Sequence, residues 1–354
     1  MSTVRAINLV LPETEVYLAG SSIDGQLVLN LRSTLVDPIV KVELVGRGYL
    51  RWLEEENPEW DYEKSMACTN QAVYISKTQN FRIEDGWLDP GVHTFDFHFN
   101  FPSSIPSTFN SEIGCISYFV QGTCCSGQVV LAKEERCLLL QGINSAYFAF
   151  LFNLSMQAPL VVEARKDIVY FCCFRRGSVI LRISLEKNIF CPGETIVFMT
   201  DIANRTCKYV KKLIFALRCI VLYQGFSSRG EPCSLEDQSE VTRLESQTDT
   251  APFETMRLTS ALVLPKPMPV TSTVMENKIM AFRYELVGTS SLPCTMSTIM
   301  ARVPIIIAAT PKHFSVEQKT MTLHENEGDL SKGVSLHRDN SEADPGAMAS
   351  RSTE

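Results

Sequence analysis

Thr94-Phe95-Asp96-Phe97-His98-Phe99-Asn100-Phe101 sets a phenylalanine at every second position, with a polar residue between each pair. Successive side chains of a strand point to opposite faces, so this stretch reads as a half-buried antiparallel strand with Phe95, Phe97, Phe99 and Phe101 turned inward. A stripe of period two is what the core of a β-sandwich demands, and it is read as core rather than as a carbohydrate platform. Beyond it, Pro102, Pro106 and the serines between them end the strand and force a surface crossing, because proline cannot donate into a sheet. The segment Pro265-Lys266-Pro267-Met268-Pro269 reads as a second extended connection of this kind. Further short strands are read over 40–45, 113–121, 179–185, 212–223, 257–264, 278–286 and 300–307, separated by Gly, Pro, Asn or Ser. No amphipathic helical stretch of comparable strength competes with them.

Two of these regions repeat one plan about 170 residues apart, over 16–50 and 190–223. Each opens on a glycine turn (Ala19-Gly20, Pro192-Gly193), passes through an apolar strand and crosses a polar connection into another alternating strand. Two copies at so long a period mean two tandem domains rather than a solenoid. The chain of 354 residues is long enough for two domains of about 150 residues, each with its own core. The fold class read from the sequence is therefore all-β, with a first sandwich over 1–142, a hinge and the start of the second domain over 143–176, and a second sandwich over 177–311. Residues 312–354 turn to Ser, Thr, Glu, Asp, Gly and Lys with few apolar side chains, and are expected to form a disordered tail.

A formal net charge of −7 supplies no basic field for a phosphate backbone, so nucleic acid is not an expected partner. The twelve cysteines are expected to be reduced, because Met1-Ser2-Thr3-Val4-Arg5-Ala6 shows no charged segment followed by an apolar one that would direct secretion. On that reading the glycosylation triplets Asn153-Leu154-Ser155 and Asn204-Arg205-Thr206 are chance matches. The most apolar run, 146–154, falls far short of the roughly 20 residues of a membrane-spanning helix. No two cysteines stand three apart, so a zinc site of the Cys-x-x-Cys kind is not expected. The one His-x-Asp triplet, His337-Arg338-Asp339, sits in the polar tail with no histidine after it, which leaves a facial triad incomplete. With two histidines in the aromatic strand and three in the tail, nucleophilic catalysis lacks a base. No catalytic residue, cofactor or metal is expected.

Three segments together resemble the arrestin fold, and within it the arrestin domain-containing (α-arrestin) family. The first is LDPGVHTFDFHFNFPSSIPSTF, beginning at Leu88, followed by Ile116-Ser117-Tyr118-Phe119-Val120. The second is CCFRRGSVILRISLEKNIFCPGETIVFMTDIANRT, beginning at Cys172, which is similar to the start of the carboxy-terminal arrestin domain. The third pairs Phe282-Arg283-Tyr284-Glu285-Leu286 with Val303-Pro304-Ile305-Ile306-Ile307, similar to the family's closing strands. The resemblance implies two immunoglobulin-like β-sandwiches acting as a non-catalytic adaptor in protein transport and endocytic sorting. Its partners would be cytoplasmic segments of membrane proteins, with trafficking or ubiquitin machinery joining them. The implied location is cytoplasmic, with peripheral association at the plasma membrane or endosomes. A structural subunit of an endosomal coat, resembling the arrestin-like component of retromer, and a β-sandwich enzyme are the alternatives.

The departures from the family are specific. No Pro-Pro-x-Tyr motif occurs, so ligase recruitment through WW domains is not supported. Ile7-Asn8-Leu9-Val10-Leu11 stands where receptor-binding arrestins place a phosphate-sensing lysine pair. Lys208, Lys211 and Lys212 resemble basic positions near an inositol-phosphate site and Arg218 matches a contact residue, while Ile214 departs from one. These four are the candidate phosphoinositide or membrane contact; the alternative reading is a solvated basic strand end. Cys172-Cys173, beside Phe171, Phe174, Arg175 and Arg176, is the candidate S-acylation site, against a reading as two buried thiols.

Overall fold

The computed structural model describes residues 3–55, 65–143, 159–169, 176–273, 277–291 and 298–309, and its elements are β-strands. All of these residues belong to one compact unit, 1–311. The candidate pair Cys172-Cys173, the triplet at Asn153 and the tail 312–354 lie outside the described residues.

The first half contains β1 (Val4–Val10), β2 (Tyr17–Leu18), β3 (Ser22–Leu31), β4 (Leu35–Val36), β5 (Pro38–Glu55), β6 (Ser65–Phe81), β7 (Trp87–Leu88), β8 (Gly91–Asn100), β9 (Phe109–Asn110), β10 (Gly114–Ser126), β11 (Val129–Leu138) and β12 (Leu140–Gln141). The second contains β13 (Leu160–Val169), β14 (Arg176–Leu185), β15 (Ile189–Phe190), β16 (Thr195–Arg205), β17 (Val210–Phe226), β18 (Pro232–Thr250), β19 (Thr255–Val263), β20 (Met280–Ser291) and β21 (Thr298–Ile307). In the first sandwich the sheet β1-β3-β8 belongs with β11-β10-β5-β6; in the second, β13-β14-β16-β19 belongs with β18-β17-β20-β21. Phe97, Phe99 and Phe101 of the phenylalanine stripe are buried and Phe95 is half-buried, so the alternation reads the core face correctly. Phe198 of β16 meets Phe215 of β17 edge-on at 4.8 Å, which shows the second pair of sheets in contact.

The repeat in the sequence is a repeat of topology. The antiparallel ladder β1-β3-β8 corresponds to β14-β16-β19, and β11-β10-β5-β6 to β21-β20-β17-β18. Even the two-residue strands match: β2 pairs in parallel with β12, and β15 in parallel with β21. Gly20 and Gly193 carry φ of 82° and 89°, a region that L side chains avoid, and each releases the chain into its inner strand, β3 or β16.

Two features differ from the sequence reading and one refines it. Within 143–176, read as a hinge and the start of the second domain, residues 160–169 form β13, which pairs along its whole length with β14 and so belongs to the second sandwich. β6, β11 and β18 fall outside the stretches read as strands, because all three are rich in polar residues and β11 and β18 are exposed or half-exposed along most of their length. Several strands run past the stretches read for them, β5 among them: its ladder with β6 continues to Glu55, with Leu50 and Trp52 buried and Arg51 between them exposed.

Candidate functional site

The two sandwiches meet along a seam built from both kinds of contact. Phe226 at the end of β17 pairs with Thr69 of β6, which joins the β5-side sheet of one sandwich to the β17-side sheet of the other. Beside that rung Asn70 Nδ2 donates to Gln224 O at 2.8 Å. Deeper in, the fully buried Gln141 grips the proline-rich connection: its Nε2 donates to Met268 O at 2.9 Å and its Oε1 accepts from Met268 N at 3.0 Å. Ser107 Oγ also donates to Met268 O, at 3.1 Å, and accepts from Gly142 N at 2.9 Å. A buried amide is tolerated only when its donors and acceptor are used, and here they are. Phe109 stands edge-on to Phe282 at 4.9 Å, and Tyr74 Oη donates to Asn277 O at 2.7 Å. Burial pushes the Tyr74 phenol well above its usual range, so it remains a donor.

The outer face of the four-stranded sheet β13-β14-β16-β19 carries a charge ladder. Glu163, Arg182, Asp201 and Arg257 face one another in register on four successive strands, with signs alternating. Arg182 donates to Glu163 Oε2 at 2.7 Å, and Arg257 engages both oxygens of Asp201 at 2.6 and 3.1 Å. The hydrogen bond from Arg257, reinforced by the charges of Arg257 and Arg182, holds the Asp201 carboxyl below the usual carboxylate range. These four residues, with Arg205, Ile180, Ala203 and Thr255, line a shallow open depression. Three guanidinium groups against two carboxylates give it a net positive charge. The neighbouring row, Val161, Ser184, Met199 and Thr259, exposes two large apolar side chains, Val161 and Met199. β19 bounds this sheet on one side and pairs with β16 alone among the described strands. By contrast β11, at the edge of the first sandwich, carries Lys133, Glu134, Glu135 and Arg136 in two ion pairs, a charged edge that resists strand addition.

The basic residues singled out in the sequence are only partly brought together. Lys208 lies exposed in the turn after β16, and Lys211 and Lys212 open β17, so these three share one end of the strand. Lys212 forms an ion pair with Glu245, which also accepts from Arg243. Arg218 lies six residues further along β17, about 20 Å away at the rise of a strand, flanked in register by Glu240 and Glu285. Asn204 of the glycosylation triplet is buried, and its Nδ2 donates to the carbonyls of Lys208, Thr250 and Ala251, so it is a structural amide. The ladder residues escaped the sequence reading: each strand shows charge at outward positions, but only register reveals which of the charges align.

Two family models match the chain: "Arrestin (or S-antigen), N-terminal domain" over residues 8–143, and "Arrestin (or S-antigen), C-terminal domain" over residues 175–312. The chain belongs to the arrestin family. It is 48% identical over 309 residues to arrestin domain-containing protein 5 of Homo sapiens, covering 87% of this chain and 89% of that protein. To the Bos taurus protein of the same name it is 48% identical over 312 residues, covering 88% and 93%. Arrestin domain-containing protein 4 of Homo sapiens is more distant, at 22% over 321 residues, 87% of this chain and 72% of that protein. In this arrestin-family chain β13 falls between the two matched segments, yet it supplies Glu163, the first rung of the ladder. Among the described residues no helix is long and apolar enough to cross a membrane.

Proposed function

We propose that this arrestin-family protein is a non-catalytic adaptor that docks cytoplasmic segments of membrane proteins and delivers them to trafficking or ubiquitin machinery without WW-domain docking. The observation that carries the reading is the outer face of β13-β14-β16-β19, where a net positive depression, exposed Val161 and Met199 and the open side of β19 adjoin one another. An extended segment laid along β19 gains main-chain hydrogen bonds, and the arginines beside it favour acidic side chains. Lys208 and Lys211, both exposed, add peripheral contact with anionic lipid at the end of β17.

Proximity labelling in cells tests this with three chains: the full protein, the full protein with Arg182→Glu and Arg257→Glu, and a chain ending at Pro311. The expected result is a labelled set rich in membrane proteins that the truncation retains and the charge reversals deplete. Labelling confined to soluble proteins, or a set unmoved by the reversals, overturns it. Purification in a stable stoichiometric complex would instead favour a subunit of an endosomal coat.

A further inference from the structure

Glu54, Cys68 and Cys233 come together at the seam from β5, β6 and β18, with their ligand atoms all within 4.8 Å of one another. Cys68 is fully buried, Cys233 half-buried and Glu54 exposed, so the cluster runs from the core out to solvent. Cys68 Sγ donates to Glu54 Oε2 at 3.4 Å and is within hydrogen-bonding reach of Cys233. Around a tetrahedral zinc ion, with Zn–S near 2.3 Å and Zn–O near 2.0 Å, a sulfur and an oxygen stand about 3.5 Å apart and two sulfurs about 3.8 Å. The Cys68–Glu54 edge already has that length, and because all three ligand atoms lie within 4.8 Å of one another the remaining edges close by about 1.3 Å or less.

A disulfide fits the same pair poorly. Thr69 pairs with Phe226 and Phe226 with Pro232, so Cys68 and Cys233 belong to strands on opposite sides of β17. Two strand spacings put their backbones roughly 9.5 Å apart, beyond the Cα separation of about 7 Å that a disulfide can bridge. Cys233 has Gly225 as its partner in register on β17. A Cβ there would meet the Trp52 ring at 2.8 Å, and Trp52 is itself the cross-strand partner of Cys68.

We propose that Glu54, Cys68 and Cys233 form a binding site for one zinc ion, with water as fourth ligand, that staples β5 and β6 of the first sandwich to β18 of the second. Two thiol groups select a thiophilic cation over calcium or magnesium. On binding, each thiol gives up its proton, so two protons leave for one Zn²⁺ taken up; the two thiolates and the carboxylate then leave the centre with one net negative charge. Before the metal enters, burial and the neighbouring Cys233 and Glu54 push the Cys68 thiol up to about 12, which keeps it protonated and unreactive. The three ligands are too scattered in sequence to form any spacing motif, and strand pairing alone unites them.

The test uses the full chain purified under reducing conditions and loaded with Zn²⁺ or Co²⁺, then dialysed against a weak chelator. Expected are one metal per chain, thiolate-to-cobalt charge-transfer absorption, quenching of tryptophan fluorescence by Co²⁺ and a raised thermal midpoint. Cys233→Ser should abolish the stoichiometric metal and the thermal shift, Glu54→Gln should weaken binding at least tenfold, and Cys207→Ser, altering an exposed thiol, should change neither. Because Cys68→Ser disturbs the core, the half-buried Cys233 is the deciding position. Absence of stoichiometric metal, binding that survives Cys233→Ser, or a Cys68–Cys233 disulfide recovered by mass spectrometry in place of metal would each overturn the proposal.

Discussion

Tyr118 and Tyr284 occupy equivalent strands, β10 and β20, and solve the same problem. The Tyr118 hydroxyl donates to Pro106 O and the Tyr284 hydroxyl to Pro269 O, both at 2.7 Å, so each pins the proline-rich crossing that precedes its strand. Both rings are buried, and burial raises both phenols, which keeps them protonated donors at every physiological pH. Tyr118→Phe and Tyr284→Phe each leave a proline carbonyl without this donor and should cost about 1 kcal/mol in urea unfolding, by similar amounts; a loss at one position alone would refute the equivalence. His98 offers a pH-dependent check on the opposite face of β8. Its Nδ1 lies 2.6 Å from Asp24 Oδ1, and that hydrogen bond raises the imidazole above its ordinary value of 6.5. A raised pKa means that the stabilisation is complete below the unfolded value and fades as pH rises through the folded one. Proton NMR of Asp24→Asn should show the His98 midpoint falling toward 6.5, and an unmoved midpoint would remove the pair.

At the scale of the strand, the ladder Glu163–Arg182–Asp201–Arg257 makes a prediction in which magnitude and pH work together. Exposed cross-strand pairs are worth at most about 1 kcal/mol, so Arg257→Gln should destabilise by no more than that near neutrality. Asp201 has a lowered pKa, so its contribution is present above the unfolded carboxylate value and is lost as pH falls through the folded one. The cost of Arg257→Gln should therefore shrink at acid pH and in high salt, with a double-mutant cycle against Asp201→Asn giving the pairwise part; a cost independent of both would assign Arg257 a packing role. The strands that hold this ladder were legible to the extent that their alternation is clean. β8, β14, β16 and β20 carry apolar residues at strict intervals, and Gly20 and Gly193 mark the turns before the inner strands. β18 was not legible, because a strand with Glu236, Asp237, Glu240, Arg243 and Glu245 owes its conformation to hydrogen bonds with β17 and not to burial of its own. The site was less legible than the fold for a related reason: register is fixed by loops and bulges, such as the one between Leu217 and Arg218, and charges align only once register is known.

For the whole molecule the seam decides whether two sandwiches behave as two bodies or one. Independent domains meet through modest, more polar interfaces and unfold separately. Here the β5-side and β17-side sheets join through Thr69 and Phe226, Phe109 packs on Phe282, and residues of both sandwiches share one apolar cluster. The Gln141 amide adds a requirement for registration, since its Nε2 reaches Met268 O and its Oε1 accepts from Met268 N only when the proline-rich connection of the second sandwich sits against the end of β12. Opening the seam would strand the Gln141 Oε1 and the Met268 N–H away from each other, so unfolding of either half should take the other with it. Calorimetry of the full chain is thus expected to show a single transition whose calorimetric and van't Hoff enthalpies agree. Gln141→Leu fills the same space without hydrogen bonds and leaves the buried Met268 N–H unpaired, at a cost of about 2–3 kcal/mol. That variant should lower the midpoint and separate the two halves into resolved steps, whereas two steps in the unaltered protein would show that the shared sheet does not couple them.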